Sequence, residues 1–152
     1  MSILATNKKI FHDYEILDKY EAGIVLSGQE VKSVRNGQMS LKGAYVTIDK
    51  NQEIYLTNAT IPPYKMAGPL PNYDMTRSRK LLLNKKEIAN LSGKTQQSGL
   101  TIVPISVYTK GKRIKIEIGL AKGKKKYDKR EDIKKRDQKR QDKQLLKRTL
   151  RN

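Results

Sequence analysis

The clearest pattern in the chain lies between Arg113 and Leu120. Ile114, Ile116, Ile118 and Leu120 alternate with Arg113, Lys115 and Glu117, and a period of two puts the apolar set on one face of a half-buried strand. Gly111 supplies the turn before it. Gly99 to Tyr108 is also strand-like, although Pro104 demands an edge position or a bulge because proline gives the ladder no donor. Ala22-Gly23-Ile24-Val25-Leu26 is a continuous apolar run with the β-branched content of a buried strand, and Gly28 ends it. Ala44 to Ile48 and Glu53 to Leu56 flank Asp49-Lys50-Asn51-Gln52, the layout of a hairpin. Two stretches change period. Gln29 to Arg35 places Val31 and Val34 three apart and stops at Asn36-Gly37, and Lys85 to Leu91 spaces Ile88 and Leu91 alike before Ser92-Gly93. Residues 62–72 hold Pro62, Pro63, Gly68, Pro69 and Pro71 and must form a loop.

Five or more short strands and two or three short helices predict a mainly β fold: a small antiparallel barrel, closed or nearly so because open edges invite mispairing. The expected division is a flexible entry at 1–12, a β-barrel at 13–121 and a basic tail at 122–152. From Glu131 to Leu150 the tail contains no Gly or Pro. Glu131–Lys135 and Asp132–Arg136 stand at i,i+4 with the acid first, which favours helix. Only Ile133, Leu145, Leu146 and Leu150 are apolar there, too few to hold a helix on a core. The tail is expected to be disordered alone and helical against a polyanion.

Charge sharpens this. The 152 residues carry 33 Lys and Arg against 15 Asp and Glu, net +18, and more than half of that excess follows Ala121. Such a field attracts polyanions, nucleic acid above all. The tail lacks the broad apolar face that a membrane surface would require. With no Cys, disulfides, thiolate zinc sites and thiol catalysis are excluded. His12, the one histidine, has no His or Cys neighbour to complete a metal site and reads as a surface or RNA-facing ring. No apolar run nears the ~20 residues of a spanning helix, and the opening Met1-Ser2-Ile3-Leu4 shows no leader pattern, so a cytoplasmic protein is expected. Gly93-Lys94-Thr95 is no phosphate loop, because Ile88 stands where that loop needs glycine. The serines lie in no nucleophile context, and the spacing of Glu30 and Glu53 does not pair them. No catalytic residue, metal or cofactor is expected.

Two basic patches suit RNA instead. Arg77-Ser78-Arg79-Lys80 precedes the apolar Leu81-Leu82-Leu83, so a strand or turn there would present three cations to a phosphate backbone, or else form an ordinary solvated turn. Lys122-Gly123-Lys124-Lys125-Lys126-Tyr127 combines cations, a glycine that lets backbone approach phosphate, and a ring able to stack; the alternative is an inert basic linker. Tyr14, Tyr20, Tyr45, Tyr55, Tyr64 and Tyr108 read as barrel or rim packing rather than stacking platforms.

Taken together, Tyr20-Glu21-Ala22-Gly23-Ile24-Val25-Leu26-Ser27-Gly28-Gln29-Glu30-Val31-Lys32-Ser33, then Arg77 to Leu83, then Ala121 to Arg130, resemble the small protein B family of bacterial SsrA-binding proteins, over nearly the whole chain from Asn7. The resemblance implies an oligonucleotide-binding-type barrel with peripheral helices and a basic tail. It implies binding of the tRNA-like part of transfer-messenger RNA and its delivery to stalled ribosomes, where the tail enters the empty messenger channel and folds as a helix. Implied partners are that RNA, the ribosomal RNA of the decoding centre and messenger channel, and, indirectly through the charged RNA, elongation factor Tu. Asn7, Glu21, Leu82 and Asn84 match positions where the family contacts RNA, Lys8 and Lys9 accompany Asn7, and Arg77, Arg79, Lys80, Lys122, Lys124 and Lys125 supply phosphate contacts. Gly123, Lys124, Tyr127, Asp128, Lys129 and Arg130 match the stretch placed at the decoding centre.

Departures from the family pattern are local. Ile10 replaces a small residue after Lys9, Tyr73 and Met75 stand where His and Pro are usual, and the tail beyond Arg130 matches loosely. A structural ribosomal protein or a generic single-strand binder on the same barrel remains the competing class. Composition does not separate it.

Overall fold

The computed structural model describes residues 1–97, 99–124 and 140. Seven strands make one antiparallel sheet: β1 (Ile3–Thr6), β2 (Tyr14–Ile24), β3 (Tyr45–Ile48), β4 (Ile54–Thr57), β5 (Arg79–Leu82), β6 (Leu100–Lys110) and β7 (Arg113–Gly123). Among the described residues, the helices α1 (Ile10–Asp13), α2 (Gly28–Arg35) and α3 (Lys85–Thr95) and a 3-10 turn at Lys65–Ala67 lie outside it. Strand order is β1-β6-β3-β4-β5-β2-β7, and β6 also pairs with β7. That last pairing joins the ends, so six strands form a ring with β1 added on the outer flank of β6. The mainly β barrel expected from the chain is present.

The alternating segment behaves as its period requires. Ile116 and Ile118 are fully buried, Leu120 nearly so, and they pack against Ile54, Leu56, Val107 and Leu81 in the central core. Removing each such side chain from water stabilises the fold by roughly 1.5–3 kcal/mol. The hairpin forms as expected, with Tyr45 opposite Thr57 and Ile48 opposite Ile54. Pro104 is accommodated by a break in the β6–β7 register between Pro104 and Ser106. Asn7 reinforces that break: its backbone N–H donates to Ile105 O at 2.9 Å and its side-chain amide to Pro104 O at 3.1 Å. At Gly111 the φ of +61° suits the tight β6–β7 turn.

Several boundaries differ from the sequence reading. Residues 1–12 were expected as a flexible entry, yet β1 lies there, pairing Thr6 with Ser106, and Ile10 is buried against Val103 and Ala121. β2 starts eight residues before the apolar run at Ala22, because Tyr14 to Glu21 present an outer face to solvent while their backbones pair with β7. Val25, expected in a buried strand, lies just past β2 and is 45% exposed. β7 continues through Lys122 and Gly123, two residues past the expected barrel boundary, opposite Glu15 and Tyr14. α3 extends to Thr95 rather than stopping at Ser92-Gly93. Ser98 and the expected helix at 131–150, Arg140 aside, lie outside the described residues.

Candidate nucleic-acid interface

Register fixes which side chains share the outer surface. Glu21 lies opposite Glu117 on β7, and Glu117 opposite Ser106 on β6. Two residues along β2, Gly23 sits between Leu82 on β5 and Lys115 on β7. Because side chains repeat every two residues on one face, Glu21 and Leu82 look out from the same side. Leu82 is 55% exposed, in strict alternation with buried Arg79 and Leu81 and exposed Lys80. The apolar surface it offers is therefore open to solvent and not part of the core.

Glu21 is held from β6. Its Oε2 accepts from the Tyr108 hydroxyl at 2.5 Å and its Oε1 from Lys110 Nζ at 3.1 Å. The tyrosine hydrogen bond, with the lysine, keeps the carboxyl below its usual range. Burial and the Glu21 carboxylate together push the Tyr108 hydroxyl up, so it stays a donor. Tyr108 is nearly buried, as the packing reading of the tyrosines requires, but Tyr45 is 48% exposed. Asn84 follows β5 as the N-cap of α3, where its backbone N–H donates to Glu87 at 3.4 Å and its side chain stays at the surface.

The first basic patch is corrected by the structure. Arg79 was expected among three cations facing phosphate; its side chain is fully buried. β5 alternates, and Arg79 falls on the inward face, where the Glu30 carboxylate accepts from its Nε at 3.0 Å and its Nη2 at 2.7 Å. Ala59 O and Met75 O take further bonds from the same guanidinium, at 2.6 and 3.0 Å. Arg77 is half-buried and also donates to Glu30. Only Lys80 points outward, loosely paired with Glu53 at 3.4 Å. Glu30 joins α2 to β5 and caps its own helix, its Oε1 also accepting from the Ser27 N–H at 2.9 Å. Burial opposes its ionisation, but Ser27, Arg79 and Arg77 outweigh that and hold it at about 2. Tyr73 of the mid-chain loop, one of the family departures, donates to Glu30 Oε2 at 3.1 Å and to Ile61 O at 2.8 Å.

The remaining expected residues are dispersed. Lys8 and Lys9 are exposed in the turn between β1 and α1, whereas Asn7 spends its amide on Pro104 as described. Lys122 and Gly123 are exposed at the far end of β7. Lys122 lies opposite Glu15 and Lys115 opposite Gly23, which separates the two surfaces by ~23 Å of strand. Lys124 is half-buried, its backbone N–H donating to Asp13 O at 3.0 Å. Lys125, Tyr127, Asp128, Lys129 and Arg130 lie outside the described residues.

Sequence reasoning missed Arg35, Lys112, Arg113 and Lys115, which gather beside Gly23 and Leu82. The alternation that buries Ile116 and half-buries Ile114 was itself the signal, since it sends Arg113 and Lys115 outward. It also missed the capping box, although Ser27-x-x-Glu30 is its ordinary signature.

Comparison with known proteins agrees across three routes. The family model described as SmpB protein matches residues 4–148. An SsrA-binding protein of Sulfurihydrogenibium sp. (strain YO3AOP1) is 57% identical over 139 residues, 91% of this chain and 90% of that protein. One from Persephonella marina is 54% identical over 93% of this chain and 91% of its own length, and one from Chloroflexus aggregans 47% identical over 99% and 95%. A solved chain described as "tmRNA-SmpB: a journey to the center of the bacterial ribosome" superposes with a TM-score of 0.65 at 46% identity, covering 80% of this chain and 84% of that one.

Proposed function

The chain belongs to the SmpB family, and from that premise we infer that it is an SsrA-binding protein working in trans-translation. It binds transfer-messenger RNA and acts with it at the ribosome. The observation that carries this reading is the outward surface of β2 and β5, where Glu21 and Leu82 stand together on the barrel of a chain whose net charge is +18. A fixed carboxylate can accept from base amino groups or a 2′-hydroxyl, and an exposed leucine gives an unstacked base a dry surface. Lys80 and Asn84 then supply polar and phosphate contacts beside it, and Lys8, Lys9, Lys122 and Lys124 supply further ones elsewhere on the barrel. Asn7 supports the same surface by fixing the β6 break, and Arg79 supports it from inside by holding β5 to α2.

The finer division of labour is also our reading. The barrel binds the tRNA-like part of the RNA, completing a tRNA shape in a complex that meets elongation factor Tu only through the charged RNA. Tyr127, Asp128, Lys129 and Arg130 contact the decoding centre, and the rest of the tail folds as a helix in the empty messenger channel. Work at the ribosome makes the cytoplasm the site of action; among the described residues no helix is long and apolar enough to cross a membrane. The chain's task is recognition, with no covalent step assigned to it.

The test is a competition between transfer-messenger RNA and a messenger fragment of equal length for the purified full chain. Preference for the former at every salt concentration is expected. Equal affinity for both would favour a generic single-strand binder.

A further inference from the structure

A cleft of about 350 Å³ opens where β2, β5 and the start of β7 meet α2 and the β6–β7 turn. Its volume falls low in the range of small-ligand sites. The floor is aliphatic, formed by Ile24, Leu26, Val31, Leu82 and Ile114 beside the bare backbone of Gly23. A Cβ at Gly23 would sit 3.2 Å from the Leu82 Cβ, closer than ordinary contact, so the missing side chain lets Leu82 lie tight against β2.

The rim has the opposite character. Arg35, Lys112, Arg113 and Lys115 stand around the opening. Among the described residues, no carboxylate lies within 4 Å of any of their charged groups. The Glu21 carboxylate acts on Lys115 from a longer distance, and the rest of their mutual repulsion is left for an external anion to relieve. Arg35 is already anchored, its Nη2 donating to Lys112 O at 2.7 Å, which sets a planar cation at the cleft edge. None of the four belongs to either basic patch read from the sequence.

A base-sized apolar floor with an excess of cations at its rim matches a single unstacked nucleotide. The base can lie on aliphatic side chains or on the guanidinium plane, and the flanking phosphates can take the cations. We propose that this cleft is a one-nucleotide subsite, in which a base leaves the stack of the bound RNA to lie on Leu82 and Ile114 while Arg35, Lys112, Arg113 and Lys115 hold its phosphates. This rests on the reading of the chain as an RNA-binding protein and adds where one nucleotide goes.

The experiment uses the full chain and full-length transfer-messenger RNA. The double variant R113A/K115A is compared with K42A/K50A, which removes two exposed lysines outside the cleft. The slope of log affinity against log salt should become shallower by about 1.5 for the cleft pair and stay unchanged for the other. Filling the cleft with Val31→Trp should weaken binding about tenfold while leaving the salt slope unchanged. Ultraviolet crosslinking of the unaltered protein, read by mass spectrometry, needs no variant; adducts are expected on peptides containing Leu82 or Ile114. Matching slopes for the two pairs, or adducts confined to other peptides, would overturn the subsite while leaving RNA binding in place. Binding of an acidic peptide in the cleft with RNA affinity unchanged by R113A/K115A would overturn it in favour of a protein partner. If the unaltered chain does not bind the RNA at all, the functional reading falls and the subsite with it.

Discussion

The Glu30 carboxylate and the Arg79 guanidinium meet with both side chains fully buried, joining α2 to β5 across 49 residues of sequence. A buried pair of this kind contributes little net stability against a well-packed apolar substitute, because removing both charges from water costs several kcal/mol each. Its effect is felt when one member is lost. The Arg79 guanidinium also occupies Ala59 O and Met75 O, so both ends of the long β4–β5 connection depend on it.

Arg79→Met should therefore destabilise the fold by about 3–5 kcal/mol, since it removes the buried carboxylate's one fully buried cation and leaves Arg77 as its remaining guanidinium partner. Combining it with Glu30→Leu should recover much of that loss. Urea unfolding of the two single variants and the double variant gives the coupling energy. Additive losses would show that the two groups do not act as a unit.

Acid should act through the same carboxylate. Glu30 is held at about 2 against an ordinary 4.5. A depressed acid contributes stability that is fully present above the unfolded value and is lost as pH falls through the folded one. The loss should thus develop between about pH 4.5 and 2 and reach about 3 kcal/mol. Urea midpoints at intervals across this range check it, with Glu30→Gln as the control whose curve should be flatter there. An equally steep fall in that variant would assign the acid sensitivity to other groups.

How much of this was legible follows from the range of the interaction. The strand of Ile114 to Leu120 and the hairpin of β3 and β4 are written in local period and turn residues, and both form. Pro104 announced its own bulge. Arg79 is different: within Arg77 to Lys80 nothing distinguishes an inward cation from an outward one, because the partner that draws it in lies on α2. The outer half of β2, from Tyr14 to Glu21, is polar enough to escape a search for apolar runs, and only pairing with β7 makes it a strand. Glu21, Leu82 and Asn84 came from resemblance rather than from residue chemistry. The cations of the β6–β7 turn escaped notice because neighbours in space, Gly23 and Leu82, give them their setting.

Tyr108 is expected to act on RNA through Glu21. Tyr108→Phe removes the hydroxyl that donates to Oε2 at 2.5 Å and leaves Lys110 as the remaining partner. The Glu21 carboxyl should then titrate closer to its ordinary 4.5, as followed by NMR. Affinity for transfer-messenger RNA should fall several-fold because the acceptor is no longer fixed, while the melting temperature changes little. An unchanged Glu21 titration would show that Lys110 alone sets the carboxylate.

Binding and action on the ribosome should come apart at the tail. Among the described residues every strand and the central core lie within residues 3–123, so loss of the residues after Arg130 is expected to cost the barrel little stability. An extended cationic segment gains order only where a surrounding polyanion offsets the entropy it loses, and the ribosome offers such a surrounding where the free RNA does not. Truncation after Arg130 should therefore leave RNA affinity largely intact and abolish tag addition on stalled ribosomes. Proline at both Lys139 and Lys143 is the finer probe, since it keeps most of the charge while costing ~3 kcal/mol of helix at each site. That variant should bind RNA normally and fail in tag addition if the tail works as a helix. Full activity of the double proline variant beside a dead truncation would make the tail a charged tether, and full activity of both would remove the tail from the mechanism.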